Sequence, residues 1–93
     1  VEFKANLPYY GVTVRVAPEA TPWLRYAGYF ARIEQMIHAP DADGWIHISL
    51  RFDIEKAACA YVLSFGGQME VIEPLELRDR IIQAAKETIS RYT

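Results

Sequence analysis

The chain is poor in cysteine, with Cys59 alone among 93 residues, which excludes an internal disulfide. It opens on no charged segment followed by an apolar signal core, so a reducing, cytoplasmic setting is expected. No stretch approaches the roughly 18 unbroken apolar positions that a membrane span needs, and no membrane partner is expected. Positive charge is also scarce. Ten Lys and Arg stand against twelve Asp and Glu, for a net charge of −2, whereas a protein that grips duplex DNA through many phosphates wants clustered cations. If the protein regulates DNA, another domain does the gripping. Opening at Val1 without Met, the sequence reads as a piece of a longer protein.

What is present is 52% apolar and 24% charged residues, the balance of one globular domain that buries roughly 60 to 65% of its unfolded surface. Residues 1–10, with Pro8, Tyr9 and Tyr10 and no clean periodicity, read as a linker or the end of a preceding domain; the domain proper is expected over 11–93. Val12, Val14 and Val16 alternate with Thr13 and Arg15 as in a half-buried strand. A helix follows, begun by Pro18 or by Thr21 and Pro22, with Ala20, Trp23, Leu24, Ala27 and Phe30 on one face and Gly28 within it. Trp23 is therefore expected in the core.

Residues 33–38 are short and mixed; Pro40, Asp41, Ala42, Asp43 and Gly44 form a turn, and Trp45 to Phe52 a second hairpin strand. Ile46, Ile48, Leu50 and Phe52 share its inner face, and Trp45, His47, Ser49 and Arg51 its outer face. Asp53 is placed to cap a helix whose stripe is Ile54, Ala57, Ala58, Tyr61, Val62 and Phe65, stopped by Gly66 and Gly67. Met69 to Ile72 predicts a last strand. Pro74 then launches a helix with Leu77, Ile81, Ala84, Ala85 and Ile89 inward, supported by Glu76 with Arg80 and Glu87 with Arg91. The order β-α-β-β-α-β-α gives an α+β fold. It is expected to be ferredoxin-like, a four-stranded antiparallel sheet with helices on one face and an additional C-terminal helix.

Chemistry-bearing residues are few. His38 and His47 with Asp41 and Asp43 share one hairpin, but the spacing matches no zinc pattern, so no metal is expected. Cys59 has no neighbour in sequence to lower its pKa, and packing is its plainer role. An acylphosphatase-like enzyme would need a phosphate-cradling loop after the first strand, where Ala17, Pro18 and Glu19 stand instead. No catalytic residue and no cofactor are expected. The outer sheet face is the candidate binding surface: Arg15, Trp45, His47 and Arg51 could hold an anion or stack a base. The glycine- and aromatic-rich strand signature of RNA-recognition domains is missing. The alternative, and the preferred reading, is that this face is covered by another domain or subunit, or solvated, with Trp45 as a contact anchor.

The run Leu63, Ser64, Phe65, Gly66, then Glu70, Val71, Ile72, Glu73, Pro74, Leu75, Glu76, Leu77, Arg78 resembles the C-terminal extension (WCX) of bacterial WYL-domain transcription regulators. So do the Val14 to Glu19 segment, the Asp43 and Gly44 hairpin, and the closing Arg91 and Tyr92. The resemblance spans roughly residues 12–92. It implies a preceding WYL domain, an N-terminal helix-turn-helix that contacts DNA, and an anionic or single-stranded nucleic-acid effector. It further implies a non-catalytic regulatory role for this extension, in dimerisation as a homodimer and in effector sensing. The site residues come from the sheet geometry and not from the resemblance. The runner-up reading is a ligand or single-stranded nucleic-acid binding module that uses the open face.

Overall fold

The computed structural model of the protein describes residues 9–27, 32–36 and 40–93. Strand β1 (Tyr10–Val16) alternates as its sequence demands: Val12, Val14 and Val16 are buried, and Thr13 and Arg15 are half-buried on the other face. β2 (Arg32–Met36) and β3 (Ile46–Phe52) are joined across the Asp41–Gly44 turn, and β4 (Met69–Glu73) lies on the other side of β1. The four described strands make one sheet in the order β2-β3-β1-β4, antiparallel at every pairing. Val14 sits opposite Ile48 and Val12 opposite Leu50, so β-branched and Leu side chains interlock on the inner face.

Two α-helices cover that inner face, α1 (Glu55–Leu63) and α2 (Leu75–Tyr92). Ala58, Tyr61 and Val62 of α1 and Leu77 of α2 close over Ile48, Leu50, Phe52, Met69 and Val71 in one core. Its aromatic centre is a chain of ring contacts, Phe52 edge-on to Tyr61 at 5.4 Å and Tyr61 against Phe65 at 5.2 Å. α1 ends at Leu63, and Gly66 at φ +59 turns the chain toward β4, a conformation that glycine reaches without the Cβ penalty.

Several local expectations are corrected. The first helix is a 3₁₀ helix over Pro18–Ala27 rather than an α-helix. Pro22 has no N–H with which to reach the Pro18 carbonyl, and the Thr21 hydroxyl donates to that oxygen instead at 2.9 Å, so Thr21 closes a turn rather than capping a helix. Ala20 and Leu24 are buried, but Trp23 is 61% exposed and is not a core residue. Gly28 and Phe30 lie outside the described residues, as does His38.

The cap position of α1 falls on Ile54, not Asp53, and carries no side-chain hydrogen bond. Ile54 precedes the first helical turn and points away from the stripe, 59% exposed. On α2, Ile89 is 60% exposed because the sheet ends before the helix does, and only the first half of α2 meets the core. Arg80 reaches across to Glu55 of α1 at 2.7 Å rather than along its own helix to Glu76.

Candidate functional site

The outer face of the sheet is built around one carboxylate. Asp41 begins the turn between β2 and β3, and its Oδ1 accepts the backbone N–H groups of Asp43 (2.9 Å) and Trp45 (3.0 Å). The turn is locked by Gly44 N–H on the Asp41 carbonyl at 2.9 Å, with Gly44 at φ +83. With Oδ1 committed to the backbone, Oδ2 faces the sheet, 3.2 Å from Arg15 Nη1 and 3.0 Å from His47 Nε2. Arg15 and His47 are cross-strand partners on β1 and β3, which is why one oxygen can serve both.

Arg15 is held through Nε, Nη1 and the face of its guanidinium. Its Nε donates to Glu70 Oε1 of β4 at 2.8 Å, its Nη1 also reaches Asp43 Oδ2 at 3.0 Å, and its guanidinium carbon lies 4.7 Å from the centre of the Trp45 ring. Glu70 is shared with Arg78 of α2 at 3.9 Å. Partial burial pushes the Asp41 carboxyl up, but the hydrogen bonds from His47, the Trp45 amide, Arg15 and the Asp43 amide outweigh it and hold the group at about 2. The bonds to Glu70, Asp43 and Asp41 raise the Arg15 pKa further above its ordinary value. Three carboxylates around two arginines leave this end of the face with no spare positive charge.

Arg51 lies opposite Gly11 on β1, four cross-strand pairs beyond Arg15 and His47, or roughly 13 Å along the strand. Its guanidinium carbon sits 4.3 Å from the centre of the Tyr9 ring. Gly11 makes room for that ring: a Cβ there would stand 3.3 Å from Tyr9 Cε2. The structure thus brings Arg15, Trp45 and His47 into one cluster and places Arg51 in a second guanidinium–aromatic stack on the same face. Sequence reasoning missed Glu70, Tyr9 and the clamping role of Asp41 and Asp43. The two aspartates were visible as turn formers and as members of a metal group that was set aside, and Glu70 is set beside Arg15 by strand pairing between residues far apart in the chain.

Other groups offer little chemistry. Burial, then the Glu55 charge, pushes the Cys59 thiol up despite nearby Arg80, the opposite of the shift that activates a nucleophilic cysteine. Among the described residues no group of His, Cys, Asp and Glu is arranged to hold a metal ion. The Tyr10 hydroxyl stands 3.4 Å from both Glu55 Oε2 and Glu76 Oε2, and burial and these two carboxylates push it up to about 12.

Sheet, helices and face define a small α+β module with one apolar side closed by helices and one polar side fixed by ion pairs. The WCX domain family matches residues 8–89, and the chain belongs to it. Among solved structures it is similar to the proteasome accessory factor B/C (PafBC) of Arthrobacter aurescens, with a TM-score of 0.64 at 22% sequence identity. The match covers 82% of this chain and 11% of that one, so this chain corresponds to a small part of the PafBC chain. No curated protein matches it. Among the described residues no helix is long and apolar enough to cross a membrane.

Proposed function

We propose that this WCX domain is a non-catalytic regulatory module of a bacterial helix-turn-helix and WYL transcription regulator, working in the cytoplasm. In this reading the β2-β3-β1-β4 arrangement is the ferredoxin-like one with an added C-terminal helix, and DNA is contacted by an N-terminal domain elsewhere in the protein. The module contributes to dimerisation and sets its outer sheet face, with Arg15, Trp45, His47 and Arg51, against the preceding WYL domain. The observation that carries the assignment is the family match over residues 8–89. Resemblance in fold to a segment of PafBC supports it.

The face itself supports a protein partner over a nucleic acid. A phosphate-binding arginine presents an unneutralised charge, whereas Arg15 already gives its Nε and Nη1 donors to Asp41, Asp43 and Glu70 and is neutralised by them. Held side chains lose little entropy on docking, which suits an interface. Removing the domain from the regulator is expected to abolish its transcriptional response while the N-terminal domain retains affinity for DNA. An unchanged response in a reporter assay would contradict the reading.

A second reading is favoured by the two stacks, Arg15 on Trp45 and Arg51 on Tyr9. They are flat platforms on which an effector's bases could lie. An anionic effector would then displace the carboxylates from Arg15, and Asp43→Asn with Glu70→Gln should tighten its binding.

A further inference from the structure

Helix α2 carries a second apolar stripe that the domain's own core does not cover. Leu75 is 70% exposed, Ile82 50%, Ile89 60% and Tyr92 86%, while Leu77 faces the core and is fully buried. Leu75, Ile82 and Ile89 recur every seven residues, and Arg78, Ala85 and Tyr92 recur every seven residues three positions later. That is the spacing of the two seam positions of a coiled coil. Roughly two and a half such repeats run along a helix of 18 residues, about 27 Å long.

We propose that this seam pairs with the same seam of a second copy of the chain, the two α2 helices running antiparallel. The proposal rests on the dimerising role given above and names its surface. The charges beside the stripe select this occupant and this direction. Asp79 and Lys86 are both exposed, lie on the same flank of the stripe seven residues apart, and are opposite in sign. In an antiparallel pair that flank meets its own copy, so Asp79 faces Lys86 of the second copy and Lys86 faces Asp79, twice over by symmetry. A parallel pair would set the flank against Ile81 and Thr88, where neither charge finds a partner.

The same register layers Leu75 on Tyr92 and Ile82 on Ala85 of the second copy. It also lays Ile89 along the stem of Arg78, whose head is drawn toward Glu70 at 3.9 Å. Arg80 is tied to Glu55 at 2.7 Å and stays clear of the seam, and Glu76, Glu87 and Arg91 lie off it. A patch whose charges are complementary to themselves about its own middle fits a two-fold contact better than a contact with an unlike surface.

The test is sedimentation equilibrium of the 93-residue chain from micromolar to millimolar concentration, with far-UV circular dichroism confirming that each variant keeps its fold. The wild-type chain is expected to dimerise. Asp79→Lys and Lys86→Asp should each weaken self-association on the order of tenfold, since two attractive pairs become two repulsive ones. Mixing these two variants should restore a heterodimer, and the double variant D79K/K86D should self-associate like wild type. Ile82→Glu should leave a folded monomer. A dimer that none of these changes weakens overturns the seam and leaves the dimerising role standing on another surface. A wild-type chain that is monomeric at millimolar concentration overturns both.

Discussion

Asp41 organises the outer face through four contacts on two oxygens, and its substitutions separate the parts of that role. Asp41→Ala removes the acceptor for two backbone N–H groups and the shared partner of Arg15 and His47. A drop of several degrees in Tm is expected, measured by thermal denaturation. Asp41→Asn keeps an acceptor for the turn and should lose less. The carboxyl sits at about 2 in the fold, below the roughly 3.9 of an unfolded Asp. Its contribution to stability is therefore full above that unfolded value and is lost as pH falls from about 4 through about 2. A carboxyl carbon titration by NMR should give a midpoint near the lower figure; a midpoint near 4 would mean that the clamp is open in solution.

At the scale of elements, the strands were the most legible part of the sequence. Val12, Val14 and Val16, and Ile48, Leu50 and Phe52, are buried as their period of two requires, because burial on one sheet face is a strong and local constraint. The 3₁₀ helix was not legible. Its apolar residues keep α-helical spacing, but Pro22 removes a donor, and the competition between Thr21 and the missing amide for the Pro18 carbonyl is settled by geometry rather than pattern. The outer face was legible as a set of residues and not as a network, since ordinary turn formers and a distant glutamate close around Arg15 only once β4 pairs with β1.

Gly66 and Leu77 give tests at this scale. Gly66 has open space where a Cβ would go, with φ +59, so Gly66→Ala carries only the conformational penalty, about 1 kcal/mol of stability. Leu77 is fully buried and pins α2 to the sheet, and Leu77→Ala should cost about 2 to 5 kcal/mol. Chemical denaturation measures both. A Leu77→Ala loss no greater than that of Gly66→Ala would show that α2 is not held by this core.

Over the whole molecule the two sides of the sheet divide the work. The inner side, closed by α1 and α2, supplies the stability of a domain of 93 residues. The outer side is fixed by ion pairs and two guanidinium–aromatic stacks, an arrangement suited to being covered by protein. The proposed function sets this WCX-family domain beside a WYL domain, and the proposed seam of α2 is a separate surface for a second copy.

Backbone amide NMR of the isolated domain, titrated with short single-stranded oligonucleotides at two salt concentrations, tests the central claim most directly. With Arg15 already held by three carboxylates, no salt-sensitive shifts are expected on the outer face even at millimolar oligonucleotide. Salt-sensitive shifts clustered at Arg15, Trp45, His47 and Arg51 would contradict the account and make this face an effector site in its own right.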